Sequence, residues 1–293
     1  MNKITLLIGI LLLCACSDDI NSNNLAHGIK QKNKFIKAAH YFADAWPKTF
    51  WQEFERGGVD ADFKKIKADG FNTVILVVPW MGFEKDFDKD KTTSNKKMYA
   101  RLDFLLQKIQ QNKLDYMLRL GFPHDYSENT GTDVFSLCTN IYEKPAYQQK
   151  WNDYLQKVKE VSYKYETNQA GILVSWEDFW CPHFVFPLLE AQRRKELVQN
   201  IGFADWLMQK DKTTLKVVLA QNELKKSEIS IPTKDEMAYF YYIEFIDEKF
   251  DEIILKPAKK VSPDAGMEIR IDKDPATSSK GDKVWISHDF ASE

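Results

Sequence analysis

A chain of 293 residues has material for one large domain or two small ones, and an α/β barrel of this size is an ordinary single unit. With 44% hydrophobic and 13% aromatic residues the sequence is globular and can fill a substantial core, which excludes a disordered or fibrous chain. A formal net charge of −2 excludes a nucleic-acid footprint and a polybasic membrane patch.

Residues 1–15 read as a signal peptide, with Lys3 in its basic part and Ile4–Leu13 as an apolar stretch too short to span a bilayer. Leu13-Cys14-Ala15-Cys16 resembles a lipobox, which makes Cys16 the lipid-bearing residue; a signal peptide cut elsewhere is the plainer alternative. Ser17, where lipoproteins of the inner membrane often carry Asp, and the acidic Asp18-Asp19 point to the outer membrane, facing the periplasm or the cell surface. The polar residues 16–34 then serve as a tether, and residues 35–293 as the folded part. An exported chain meets an oxidising compartment, so Cys138 and Cys181 are a candidate disulfide, with two free buried thiols as the alternative.

Along the folded part, a first strand is expected near Ala38–Phe42, followed by an aromatic loop with Trp46 and Trp51. Asp60–Asp69 has an acidic start and a helical spacing of Phe63 and Ile66, and Gly70 is placed to stop it. Phe71–Val78 is the clearest strand, ending in Pro79-Trp80. Asn95–Asn112 is an amphipathic helix with Met98, Leu102, Leu105, Leu106 and Ile109 on one stripe. Leu114–Leu120 gives a third strand, and the polar Ser127–Thr139 a substrate-facing loop. Tyr147–Tyr165 is a helix; Ala170–Ser175 is a fourth strand whose apolar run suits burial on both faces. Glu190–Gln209 and Lys234–Lys256 are helical, Met267–Ile271 a fifth strand, and Val284–Ser287 a sixth. Strands alternating with helices predict a parallel α/β sheet of (β/α)8 TIM-barrel type, incomplete at about six of eight strands. An open doubly wound sheet is the rival, but no Gly-rich phosphate loop follows the first strand.

The chemistry concentrates where the fourth strand ends, in Ser175-Trp176-Glu177-Asp178-Phe179-Trp180. In a parallel barrel that end carries the active site. A carboxyl packed among indoles loses solvation in its charged form, so its pKa rises toward that of a general acid. Glu177 is the candidate acid/base, against a buried structural carboxylate; Asp178 braces a neighbour or caps a helix, or joins the site. Trp46, Trp80, Trp176 and Trp180 at strand ends are candidate sugar platforms, with plain packing as the alternative. Arg119 contacts a substrate oxygen or makes a structural ion pair, and His124 with Asp125 is a hydroxyl-binding pair or a structural one. Glu268, Arg270 and Asp272 alternate on one strand, with Asp272 nearest the mouth, and His288 with Asp289 repeats the His-Asp pairing.

The run Asp69-Gly70-Phe71-Asn72-Thr73-Val74, the strand ending in Pro79-Trp80 and the one ending in Ser175-Trp176-Glu177-Asp178 resemble the (β/α)8-barrel clan of glycoside hydrolases, in particular its β-galactosidase-like and sugar-binding cellulase-like members. The resemblance covers about Lys37 to Asp289. It implies Glu177 as the acid/base, although Trp176 stands where the clan usually has Asn. It also implies a nucleophilic Glu after a seventh strand, to which nothing here corresponds, so a C-terminal truncation is expected. The implied function is retaining hydrolysis of a β-linked oligo- or polysaccharide by two carboxylates, with no cofactor and no metal. A non-catalytic surface glycan-binding lipoprotein is the first alternative. A metal-dependent barrel hydrolase is the second, weakened by the lack of any His-x-His or His-Glu-x-x-His.

Overall fold

The computed structural model describes residues 35–47, 49–121, 134–174, 182, 186, 189–210, 226–232, 238–267, 273–277 and 283–287. The chain divides into Met1–Phe35 and Ile36–Glu293, and the fold is that of the second unit. At its centre are five parallel strands: β1 (Ala38–His40), β2 (Thr73–Pro79), β3 (Asp115–Gly121), β4 (Gln169–Leu173) and β5 (Ala265–Gly266). Their spatial order is their chain order. A doubly wound sheet reverses direction partway, whereas a barrel adds each strand on the same side of the last. The winding is therefore that of a barrel, and among the described residues the sheet is open, with β1 and β5 at its edges.

Between the strands run the crossover helices α1 (Val59–Ala68), α2 (Lys96–Gln111), α3 (Val134–Glu143), α4 (Pro145–Ser162), α5 (Ala191–Asn200), α6 (Phe203–Met208), α7 (Ala238–Phe250) and α8 (Lys256–Val261). Right-handed crossovers in unbroken order put the helices on one face of the sheet. That face carries Val74, Leu76, Val78, Tyr116, Leu118, Leu120, Ile172 and Val174, all in one core with Leu102, Leu105 and Leu106 of α2 and Trp151, Tyr154 and Leu155 of α4. The alternate residues Ile75, Val77, Met117, Arg119, Gly171 and Leu173 face the other way. Of these, Ile75, Met117 and Leu173 are only half-buried.

Several boundaries have visible causes. Helix α1 stops at Asp69 because Gly70 turns left-handed at φ +84°, with Gly70 N–H on Lys67 O and Phe71 N–H on Ile66 O. This is the paired bonding of a Schellman cap, as the glycine predicts. Helix α2 ends in the same bonds, Lys113 N–H on Gln110 O and Leu114 N–H on Ile109 O, but Lys113 holds the left-handed turn at φ +54°. Strand β1 is shorter than expected: after Tyr41 N–H bonds Ile75 O, the chain turns away through Ala43 at φ +47°. The next carbonyl on β2, that of Val77, accepts instead from the buried Trp51 indole at 2.7 Å.

Other expectations are corrected. The polar stretch read as a loop up to Thr139 becomes helical from Val134, because Leu137, Cys138 and Ile141 share one buried stripe. The helix expected over Glu190–Gln209 breaks at Gly202, φ +87°. The expected helix around Lys234–Lys256 passes from α7 into a π-helical turn, Asp251–Leu255, and on into α8. The fifth sheet strand is Ala265–Gly266, earlier than Met267–Ile271, of which only Met267 is described. Val284–Ser287 is a strand, but it sits in β7 (Lys283–Ser287), which pairs antiparallel with β6 (Lys273–Thr277) outside the parallel sheet. The connection of Ser278 to Asp282 is too short for a parallel crossover, which needs a dozen or more residues. Buried Glu84 escaped the sequence reading; it accepts from Tyr99, Thr92 and Lys157 at 2.7, 2.7 and 2.9 Å and is a fully satisfied structural carboxylate.

The two matched caps give a direct test. Lys113→Gly removes the strain of a left-handed non-glycine residue and is expected to raise stability by about 0.5–1 kcal/mol in urea unfolding, while Gly70→Ala lowers it by about 1 kcal/mol.

Candidate active site at the carboxyl ends of the strands

The register aligns Val77 of β2, Arg119 of β3 and Leu173 of β4 in one row near the carboxyl end of the sheet. Strand alternation sends Tyr116, Leu118 and Leu120 into the helix-side core and therefore Arg119 to the opposite, inner face. There it is 6% exposed. Its Nη1 lies 3.0 Å from Nε2 of His40, at the end of β1. With strands about 4.8 Å apart, the long Arg side chain reaches across the whole width of β2 to make that bond. The bond joins two of the strand ends from which a barrel site is built.

Partial burial of the ring, and then the Arg119 charge, push the His40 pKa below its ordinary value, although the residue as a whole is exposed. Phe42 stacks on His40, with centroids 5.9 Å apart and planes within 5°. Past Ala43, the Trp46 carbonyl accepts from Thr49 and Phe50 N–H, each at 2.9 Å, so its backbone is pinned while the indole is 68% exposed.

Of the residues chosen from sequence, Trp46 is thus an open aromatic face and Arg119 a buried cation on the inner face. Trp80 corrects its reading as a sugar platform. It is fully buried on the helix side, edge-on to Phe87 at 4.9 Å and Trp151 at 5.4 Å, because the strand end turns straight into the helical turn Trp80–Phe83. Cys138 is disulfide-bonded. Glu177, Trp176, Asp178, Trp180, His124, Asp125, Glu268, Arg270, Asp272, His288, Asp289, Cys16 and Cys181 lie outside the described residues. His40 was missed: a single His in a short strand carries no signal until Arg119 is seen to reach it. Among the described residues no three His, Cys, Asp or Glu side chains gather as a metal site.

No protein-family model and no curated protein matches the chain. Solved glycosidase structures are similar to it. They include the exo-beta-1,4-mannosidase Op5Man5 from Opitutaceae bacterium strain TAV5, at 20% identity over 57% of this chain and 29% of that one, with a TM-score of 0.39. A GH5_18 variant from Streptomyces cattleya in complex with Manb1-4GlcNAc is similar at 19% identity, over 59% of this chain and 40% of that one, TM-score 0.42. The beta-glycosidase BGL167 is similar at 13% identity, over 74% of this chain and 46% of that one, TM-score 0.39. The chain therefore spans less than half the length of each of these three.

Two outcomes follow from this geometry. Trp46→Ala is expected to change stability by less than about 0.5 kcal/mol, whereas Trp80→Ala costs about 3–5 kcal/mol, both read from denaturant midpoints. Because the folded state lowers the His40 pKa, the unfolded state binds the proton more tightly, and stability rises with pH in that window. It is complete above about pH 6.5 and is lost as pH falls through the lower folded-state value. Unfolding of His40→Gln at pH 8 and pH 5 is expected to show a smaller acid loss than the parent chain.

Proposed function

We propose that the chain is an exported, lipid-anchored glycoside hydrolase acting on a β-linked glycan at the carboxyl end of its parallel sheet. The observation that carries the reading is Arg119, a cation held almost out of water on the inner face and bonded to His40 where barrel enzymes place their chemistry. Desolvating a guanidinium is costly, and a purely structural sheet would use an apolar side chain at that position. Polar donors at the strand ends suit sugar hydroxyls, and the exposed Trp46 ring in the loop after β1 suits the C–H face of a sugar.

Glu177 is the proposed acid/base. A protonated Glu177 gives its proton to the glycosidic oxygen as the bond from the anomeric carbon breaks. Retaining chemistry then needs a second carboxylate about 5 Å away to attack that carbon, a role to which no residue of this chain is assigned. Glu177 then takes a proton from the water that releases the sugar. The disulfide at Cys138 supports an oxidising compartment, in line with Cys16 as a lipidation site and the outer membrane as destination.

The test is Glu177→Gln, which keeps the shape of the side chain and removes the acid. With aryl β-mannosides and β-glucosides as substrates, kcat/KM is expected to fall by about 100- to 10,000-fold. Equal rates in parent and variant overturn the role of Glu177. A parent chain that binds Manb1-4GlcNAc and cleaves no glycoside is a glycan-binding protein instead.

A further inference from the structure

The bond between Arg119 and His40 dictates where the imidazole keeps its proton. A guanidinium has donors only, so at 3.0 Å Nε2 of His40 is the acceptor. A neutral imidazole that accepts at Nε2 carries its hydrogen on Nδ1. Protonating Nε2 would delete the bond and set two cations against each other. Phe42, stacked on the ring, limits its rotation. Among the described residues nothing bonds Nδ1, and the residue is exposed at the carboxyl end of β1.

We infer that His40 is a fixed, uncharged N–H donor to a hydroxyl oxygen of a bound saccharide, and that Arg119 is the positioning residue that selects its tautomer. The inference deepens the saccharide reading above and rests on it. A carboxylate ligand is the poorer match, since a nearby anion favours the imidazolium that Arg119 opposes. A hydroxyl oxygen accepts the bond and asks for no charge.

Nitrogen-15 NMR of the histidine-labelled full chain tests both parts, with His40→Gln used to assign the signal among the five histidines. The parent is expected to show hydrogen on Nδ1 and none on Nε2 at neutral pH. Arg119→Met is expected to shift His40 toward the other tautomer, and Arg119→Lys, which keeps a donor, to restore the first. Hydrogen on Nε2 in the parent, or an unchanged tautomer in Arg119→Met, overturns the positioning role. Titration with Manb1-4GlcNAc is expected to move the Nδ1 signal, and His40→Phe to weaken binding by about three- to tenfold. An unmoved signal in a chain that binds the disaccharide overturns the role of His40 alone. A parent chain that binds neither this disaccharide nor cellobiose overturns the saccharide reading and the donor role with it, and leaves the tautomer assignment standing.

Discussion

Two parallel strands cannot be joined by a tight turn, and the crossover that joins them has one hand. Applied in sequence from β1 to β5 without reversal, that constraint gives every strand a helix-covered side and an inner side. The covered side takes the aromatic bulk: Trp80, Trp151, Tyr116 and Tyr154 all lie there, fully buried. Toward the carboxyl end, the inner side is left with the apolar Ile75, Val77, Met117 and Leu173, and with the bonded pair Arg119 and His40. The division between scaffold and site is thus already made by the winding, before any particular side chain is considered.

Much of this winding was legible. Runs such as Val74–Val78 and Ile172–Val174 are too short and too apolar for surface helices, and the stripe from Met98 to Ile109 repeats at helical spacing. Gly70 marked a helix end by its freedom to turn left-handed. What stayed hidden depends on contacts between distant segments. Lys113 makes an equivalent cap with a residue that gives no warning, because the bonds of the motif can pay the strain of one left-handed lysine. Trp80 has the composition of a platform and the surroundings of a core residue; only the position of α4 decides between them. The strand at Val284 was readable by its residues, but its partner was set by the length of the connection before it.

The candidate site shows the same split. Arg119 could be chosen from its place near a strand end, and Trp46 from its place in a loop. His40 could not, since its meaning comes from a guanidinium 79 positions away. A charged group on the inner face therefore orders a neighbour two strands over, and the order is chemical as well as positional, because it fixes which nitrogen holds hydrogen.

The π-helical turn between α7 and α8 has a consequence for how the last crossover meets the sheet. Lys256 N–H reaches back to Asp251 O, five residues away, so the turn takes up one more residue than an α-helix would. The apolar ridge of Tyr242, Ile246 and Phe250 continues through Ile254 to Ala258 because of that extra residue. Deleting one residue of Asp251–Leu255 would let the segment rewind as plain α-helix with everything after it still facing the same way. Winding all five residues as plain α-helix would instead rotate everything after them by about 100°. Ala258 would swing off the core and a lysine toward it. The wide turn, more than local hydrophobicity, keeps the final helix aimed at the fifth strand.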